Sequence, residues 1–289
     1  MGKRKKQQSM VKRQKELRRN SLQKAAMKKR NKAKQQALKL KKEKEKAMKA
    51  KIPYAPTDRV LLIGEGDFSF AAALIKTVYS TVALKDMRMT SRLVATCLDT
   101  EEQLVAKYPC AAANIDCIKK AGGIVLTEFD ATNLHERKDL KDAAAQGGYF
   151  SLKGAFDKIV FNFPHTGCGI KDTHKNNEVH KELLRSFLDS ASKILKKPSE
   201  IHVTLKKGEP YDSWEFANRV RDIGILSLIR AWDFYPHLYP GYQHRRTLGA
   251  ATHRTELGGP EPNKDIASGA RTYAVKLKQF EECKELKSK

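Results

Sequence analysis

The segment RVLLIGEGDFS at residues 59–69 decides the fold class of this chain. It opens with branched apolar residues, a pattern typical of a strand that is buried on both faces of a parallel sheet. Gly64 and Gly66 follow, and glycines at this place allow a tight turn and the close approach of a ligand to the next helix. The segment therefore predicts the first strand, turn and helix of an α/β fold.

Further apolar runs follow, with helical patterns between them. They lie at residues 92–99, 123–129, 156–163, 200–205, 226–234 and 271–278. The clearest helix is expected at 177–196, where apolar residues recur every four positions, and Thr100 to Gln103 fits a capping box that opens another helix. This alternation predicts a Rossmann-like, doubly wound and mainly parallel sheet of seven strands with flanking helices.

The net charge of +24 is concentrated at the N-terminus, because residues 1–51 hold 22 lysines and arginines against three acidic residues. This segment has good helix formers but too few apolar residues to bury a face, so we expect a tail that is disordered alone and helical at most when bound. Such a polycation binds nucleic-acid phosphates without reading sequence, and KRKK at residues 3–6 suits nuclear import. A merely solvating tail is the alternative.

The chain is expected to divide into the tail at 1–51, an α/β domain at 52–280 and a short charged tail at 281–289. No run approaches the roughly 18 apolar residues of a membrane span, so we expect no membrane partner. Five cysteines are scattered without the paired spacing that zinc requires, and we expect no metal.

Ligands of doubly wound sheets bind beyond the carboxyl ends of the strands, which directs attention to the residues found there. After the first strand come Gly64, Glu65, Gly66 and Asp67. Ser69 stands where the dinucleotide fingerprint has its third glycine, which disfavours a nicotinamide cofactor. A cofactor without pyrophosphate, such as S-adenosylmethionine, makes less demand on that position.

Acidic residues follow the second and third strands. Asp99 suits the ribose hydroxyls of a cofactor, although Asp86 fits the usual spacing better and lies in no predicted strand. Asp130 suits the exocyclic amine of adenine, with helix capping as the alternative role.

The fourth strand ends in Asn162, Phe163, Pro164 and His165. This tetrapeptide resembles the Asn/Asp-Pro-Pro-aromatic loop of methyltransferases that modify nitrogen in planar substrates. Asn162 would hold the edge of a base, Phe163 or His165 would stack on it, and Pro164 would keep the loop rigid. His165 or Asp67 would take a proton. An ordinary turn is the alternative.

Basic and aromatic residues near the same edge are candidates for RNA contacts. Lys206 follows the fifth strand, and residues 235–249 interleave aromatic and basic side chains with prolines. The RNA-binding candidates are Lys206, Tyr239, Tyr242, Arg245 and Arg246. Packing of the tyrosines under the last two strands is the alternative.

In the order LLIGEGDFSFA, FDKIVFNFPHTG, IHVTLKKGEPYDSW and YPGYQHRRT, these motifs resemble the eukaryotic large-subunit rRNA uridine-N3 methyltransferases, the 25S rRNA enzyme of fungi among them. The resemblance spans about residues 57–280. It implies a Rossmann-like methyltransferase domain, S-adenosylmethionine as donor, uridine N3 as acceptor and a location in the nucleus and nucleolus. Large-subunit rRNA and pre-ribosomal particles are the implied partners, and we expect a monomer.

Two other functions remain open on sequence grounds. An RNA-binding assembly factor with a vestigial cofactor pocket would explain the basic tail without catalysis. A nicotinamide oxidoreductase is disfavoured by Ser69 and by the lack of a Tyr-x-x-x-Lys pattern on a predicted helix.

Overall fold

The computed structural model describes residues 2–80, 92–245 and 269–279. The chain divides into two compact units, Met1–Lys51 and Ile52–Lys289. In the first unit a helix, α1, spans Gly2–Lys49. From the sequence we expected this segment to be helical only when bound to a partner. The helix has a local reason, because residues 3–49 contain strong helix formers and neither glycine nor proline. The predicted C-terminal tail at 281–289 lies outside the described residues.

The second unit is built on a seven-stranded sheet. Its strands are β1 (Val60–Ile63), β2 (Leu93–Thr96), β3 (Ile124–Leu126), β4 (Lys158–Asn162), β5 (Glu200–Lys206), β6 (Leu226–Phe234) and β7 (Ala270–Leu277). Each lies within a predicted run or within one residue of it, so the predicted strands are confirmed.

Helices flank the sheet. They are α2 (Ser69–Leu74, continued by a π-helical turn at Ile75–Tyr79), α3 (Glu101–Lys107), α4 (Ala111–Lys120), α5 (Lys138–Gln146), α6 (Thr173–Ile194) and α7 (Phe216–Asp222). Short 3₁₀ turns span Asp212–Trp214 and Pro236–Leu238. The predicted capping box at the start of α3 is present, with Thr100 and Gln103 bonded reciprocally.

The strand order across the sheet is β3-β2-β1-β4-β5-β7-β6. The first five strands are parallel, whereas β7 runs antiparallel to both β5 and β6. The predicted mainly parallel, Rossmann-like sheet is therefore confirmed. Strand order reverses between β1 and β4, and the crevice beyond the carboxyl ends of such a pair is where doubly wound sheets bind ligands.

Both faces of the sheet are buried. Leu61 and Ile63 of β1 belong to an apolar cluster that includes Leu184 and Phe187 of α6. The residues that alternate with them along β1 belong to a second apolar cluster, on the other face of the sheet, which contains Phe70 and other residues of α2 and α4. This double burial is the reason that the strands read as almost continuous apolar runs. Within residues 2–80, 92–245 and 269–279, no helix combines the length and apolar character needed to cross a membrane.

Candidate active site

A cavity of about 480 Å³ lies at the carboxyl ends of β1 to β4, a volume in the ordinary range for small-ligand sites. Its walls are residues 64–67, 98–99, 129–131, 161–163, 165–167 and 242–245, with side chains of α2, α3 and α6. The cavity therefore brings together residues that the sequence placed after four different strands. Of the predicted site residues that the structure describes, Pro164, Lys206 and Tyr239 do not line it.

The turn after β1 depends on Gly64. Its φ angle is +65°, in the left-handed region, and a Cβ atom there would lie 2.6 Å from Cε2 of Phe161. The next residue, Glu65, donates its backbone N–H to the carbonyl of Thr96 at 2.7 Å, which ties the turn to β2. Glycine is needed at 64 for both conformation and space, as the sequence predicted for this turn.

The carboxyl group of Glu65 is held inside the site. It accepts a hydrogen bond from the backbone N–H of Ala71 at 3.3 Å, which favours the ionised form. Burial acts in the opposite direction and is the larger effect, and Asp67 adds to it, so the pKa of Glu65 is raised to about 8. At neutral pH this wall of the cavity therefore carries a mostly protonated acid.

Replacing Glu65 by glutamine should stabilise the cofactor-free protein at high pH. The folded pKa lies above the unfolded one, so the folded state holds an extra proton between about pH 4.5 and 8 and loses stability as pH rises through that window. Glutamine removes this loss. We expect E65Q to be more stable than the wild type by about 1–2 kcal/mol at pH 9, a value reduced because the side chain is partly exposed.

Urea unfolding between pH 5 and 9 measures this difference. The matched control is E102Q, a change at an exposed glutamate of α3, which should give a difference that does not vary between pH 6 and 9. A stability gain of E65Q that stays constant across this range would contradict the assignment.

Asp67 forms a buried ion pair with Arg245. Nε of Arg245 lies 2.7 Å from Oδ2 of Asp67, and the two side chains are 8% and 3% exposed. The other carboxylate oxygen accepts the backbone N–H of Ser69 at 3.0 Å. These bonds occupy the carboxylate, which argues against Asp67 as the proton acceptor. They also pair Arg245 with a carboxylate of the protein, whereas the sequence predicted that Arg245 would contact an RNA phosphate.

Ser69 links the turn after β1 to residues 242–245 by hydrogen bonds. Its hydroxyl accepts the backbone N–H of Gln243 at 3.0 Å and lies 3.2 Å from the Gln243 carbonyl oxygen. A third glycine here would lack this hydroxyl, so the departure from the dinucleotide fingerprint has a structural role. Residues 242–245 are thereby held against the turn that follows β1.

Asp99 and Asp130 present carboxylates at the neighbouring strand ends. Asp99 is partly exposed and bonds to Lys107 of α3 at 2.5 Å. Asp130 comes four residues after β3, is exposed, and accepts the backbone N–H and the hydroxyl of Thr132, each at 2.8 Å. No helix begins until Lys138, so these bonds close a turn and the alternative of helix capping by Asp130 is wrong; the residue lines the cavity. Asp86 lies outside the described residues.

The loop after β4 is anchored to β5. The backbone N–H of Phe163 donates to the carbonyl of Thr204 at 2.8 Å, and the Thr204 hydroxyl donates to Oδ1 of Asn162 at 2.7 Å. Phe163 has a φ angle of +53°, and its ring centroid lies 4.3 Å from that of His244. Pro164 is buried beside it. Asn162 and Phe163 therefore reach the cavity from a fixed backbone, and the Thr204 contact was not predicted.

His165 is held as a neutral ring. Nδ1 accepts the backbone N–H of Gly167 at 2.9 Å, which places the ring proton on Nε2. Burial and the neighbouring ring of His180 lower the pKa of His165 to about 4. A base this weak, with Nδ1 occupied, is poorly suited to proton abstraction, so the structure favours a donor role for His165.

His180, a residue that the sequence did not single out, supports this loop. It is 1% exposed, lies 4.4 Å from the Trp214 ring in a stacked arrangement, and faces His165 at 4.5 Å. Its Nδ1 lies 2.7 Å from the carbonyl of Asn176, and Nε2 accepts the backbone N–H of Thr166 at 3.4 Å. These two bonds hold the His180 ring against the loop.

The predicted RNA residues fall into different environments. Tyr242 lines the cavity and lies 3.2 Å from Nδ1 of His244 through its hydroxyl. Tyr239 is 4% exposed and stacks on Phe234, so the alternative of packing inside the fold describes it better than stacking on a base. Lys206 ends β5 with its ammonium 5.8 Å from the Tyr211 ring. Arg246 lies outside the described residues.

The residues present fit S-adenosylmethionine in shape and chemistry. The carboxylates of Asp99 and Asp130 lie near neighbouring strand ends, where they could accept hydrogen bonds from a ribose diol and an adenine amine. Leu98, 65% exposed, and Phe129 lie beside them and provide apolar surface for a planar ring.

Comparison with known proteins agrees with this geometry. A family model described as BMT5-like, rRNA (uridine-N3-)-methyltransferase BTM5-like, matches residues 61–246. An Arabidopsis thaliana protein described as "Uncharacterized protein At4g26485" is 34% identical over 199 residues, which cover 68% of this chain and 85% of that protein.

Two further relatives match this chain over different shares of their own length. The "25S rRNA (uridine(2634)-N(3))-methyltransferase" of Saccharomyces cerevisiae is 28% identical, with 68% of each chain covered. The "Heavy metal-associated isoprenylated plant protein 41" of Arabidopsis thaliana is 32% identical over 68% of this chain, which spans only 34% of that protein. Because the family model matches well over half of the sequence, from β1 to the segment that closes the cavity, the chain belongs to the BMT5-like family of rRNA (uridine-N3-)-methyltransferases.

Proposed function

We propose that this chain is an S-adenosylmethionine-dependent methyltransferase that modifies N3 of a uridine in large-subunit rRNA. The observation that carries the proposal is the convergence of the turn after β1, Asp99, Asp130 and Asn162 on one cavity. Family membership supplies the nature of the acceptor, since a fold alone does not distinguish one base nitrogen from another. Large-subunit rRNA within pre-ribosomal particles, a nucleolar location and a monomeric state belong to the same proposal.

The cavity walls divide into a donor side and an acceptor side. The segment 64–67, Asp99 and Asp130 would hold S-adenosylmethionine, which supplies an electrophilic methyl group when bound. Asn162, Phe163 and His165 lie on the side of β4 and would hold the uracil. Holding both reactants in one orientation replaces a bimolecular encounter by a unimolecular step, which can lower the barrier by about 7–11 kcal/mol.

The uridine has to leave any base pair, because N3 lies on the Watson–Crick edge. An extruded pyrimidine needs a π-surface, and the ring pair Phe163 and His244 provides aromatic surface at the cavity. His165, neutral at physiological pH, would donate from Nε2 to the RNA and would not take the N3 proton. The chain's contribution is positioning and hydrogen bonding, with the proton passing to water.

The basic helix α1 would supply general affinity for rRNA. Deleting residues 1–51 should weaken RNA binding by about ten-fold or more near 100 mM salt, because each phosphate contact adds roughly 0.7–0.9 to the slope of log K against log salt. Filter binding at several salt concentrations measures this slope, which should become shallower. S-adenosylmethionine affinity of the truncated protein is the control and should not change. An unaltered slope would mean that the tail does not contact phosphates.

Three measurements test the proposed function. Calorimetric titration with S-adenosylmethionine should give saturable heat, whereas a vestigial pocket, the assembly-factor alternative, would give none. Reverse transcription of large-subunit rRNA from cells with and without the protein should show one stop that depends on it, because a methyl group on N3 blocks pairing. Nucleoside mass spectrometry should identify 3-methyluridine, and its absence would refute the proposal.

A further inference from the structure

A row of three polar side chains crosses the middle of the sheet. Asn162 of β4 pairs in register with Thr204 of β5, which pairs with Thr272 of β7. Thr204 and Thr272 are 0% and 2% exposed. Their hydroxyl oxygens are 2.9 Å apart, and that of Thr204 is 2.7 Å from Oδ1 of Asn162. A polar row this deep in an apolar sheet calls for a physical reason, because buried polar groups are costly unless hydrogen-bonded.

The number of hydroxyl hydrogens determines which residue donates and which accepts in each hydrogen bond of this row. If Thr272 donates to Thr204 and Thr204 donates to Oδ1 of Asn162, both buried hydroxyl hydrogens are bonded. In the reverse direction the hydroxyl hydrogen of Thr272 would have no acceptor among residues 2–80, 92–245 and 269–279. An unsatisfied buried donor is unfavourable, so the first direction is preferred.

This direction fixes the Asn162 amide. With Oδ1 turned toward Thr204, the NH₂ group is the part of the amide left for the cavity that Asn162 lines. Within the described ranges Nδ2 makes no hydrogen bond to the protein. The side chain therefore offers the cavity a hydrogen-bond donor.

We propose that Thr204 is a positioning residue that orients the Asn162 amide so that its NH₂ donates to a carbonyl oxygen of the target uracil, O2 or O4, while Thr272 satisfies its own hydroxyl hydrogen on Thr204. This inference rests on the proposed function. With O4 as the acceptor the site is selective for uracil, since cytosine presents an amino donor in place of O4 and would meet the Asn162 donor with another donor; with O2, which both bases carry, it is not.

The same hydrogen bond assists the chemistry. In the reaction the N3–H bond breaks and its proton passes to water, the N3 electron pair forms the bond to the methyl carbon, and the carbon–sulfur bond breaks with its electrons left on sulfur. Loss of the N3 proton spreads negative charge onto O2 and O4. A donor fixed in advance at one of these oxygens stabilises that charge, and removing one such donor from an enzyme typically lowers the rate by about 10²–10³.

The test replaces the two threonines by valine, one at a time. T204V removes the bond to Asn162 and frees the amide to rotate, whereas T272V removes the outer hydroxyl and leaves Thr204 able to donate only to Asn162. T204S keeps the donor. Single-turnover methylation of in-vitro-transcribed large-subunit rRNA, at saturating S-adenosylmethionine, is measured from pH 6.5 to 9.5.

We expect T204V to lose at least ten-fold in rate at pH 7 and to recover much of that loss at pH 9.5, where uracil N3 ionises with less help. T272V and T204S should stay within about three-fold of the wild type, and all variants should bind S-adenosylmethionine with unchanged affinity. The other titratable or charged groups that line the same cavity are Glu65, Asp67, Asp99, Lys107, Tyr108, Asp130, His165, Tyr242, His244 and Arg245. They are common to all variants, so the ratio of variant to wild-type rate isolates the contribution of Asn162.

The outcomes separate the two proposals. If the wild-type protein forms no 3-methyluridine, the proposed function fails and this inference fails with it. If the wild type forms 3-methyluridine but T204V loses the same factor at every pH, or T272V loses as much as T204V, the threonines are merely structural and only this inference is overturned.

Discussion

Replacing Gly64 by alanine is expected to unfold the turn after β1 or to cost about 2–4 kcal/mol of stability. A left-handed φ angle is unfavourable for a residue with a side chain by roughly 1–3 kcal/mol. The new Cβ would also lie 2.6 Å from a ring carbon of Phe161, which is itself packed edge-on against Phe187 of α6. Because this backbone forms one wall of the cavity, affinity for S-adenosylmethionine should fall by at least 100-fold, as measured by calorimetry.

Gly66 supplies the matched control. Its φ angle is not in the left-handed region, and a Cβ there would lie 3.5 Å from Cβ of Arg245, an ordinary contact. G66A should therefore change the free energy of unfolding by less than about 1 kcal/mol. If G64A and G66A were equally stable in urea, the conformational requirement at Gly64 would be wrong.

Removing the charge of Arg245 is the second change with a large expected effect. R245M should destabilise the protein by about 3–5 kcal/mol, because Asp67 would remain 3% exposed and without its cation. The control is K107M, which breaks the partly exposed pair with Asp99 and should cost no more than about 1 kcal/mol. Urea unfolding of both variants, with and without S-adenosylmethionine, gives the comparison.

RNA binding distinguishes the role of Arg245 in the fold from the phosphate contact expected from sequence. The guanidinium lies on Asp67, so R245M should leave the salt dependence of RNA binding unaltered once the protein is folded. A slope reduced by nearly one unit, together with a small loss of stability, would instead restore the phosphate assignment.

The fold was predictable from sequence because local pattern and topology agree. The turn at Gly64, the seven strands and the helix α6 follow from apolar periodicity and glycine chemistry, and strand ends meet at one edge of a parallel sheet by geometry. The family was identified from motifs at these strand ends, and the match over residues 61–246 confirms it, along with S-adenosylmethionine as the cofactor. The individual site residues remain proposals.

The contacts that the sequence could not supply are distant or depend on burial. Asp67 and Arg245 are 178 positions apart, and no periodicity links them. Tyr239 sits in a polar, aromatic segment that suggested an exposed surface, yet tertiary packing buries it against Phe234. The contact of Thr204 did have a signal in the sequence. In β5, His202 and Thr204 alternate with the apolar residues at 201, 203 and 205, and polar residues among buried apolar ones mark either an edge or a buried hydrogen-bond network.

The position of β7 constrains how the chain is made. This strand leaves the ribosome last, yet it lies between β5 and β6 and is antiparallel to both. Until it is synthesised, the nascent chain carries two open sheet edges, one on each side of the gap, and open edges are prone to aggregation. For a polypeptide cut short before Ala270 the damage to the sheet would therefore exceed the eight residues of β7, because β6 would have no strand to pair with and Thr204 would lack the Thr272 hydroxyl.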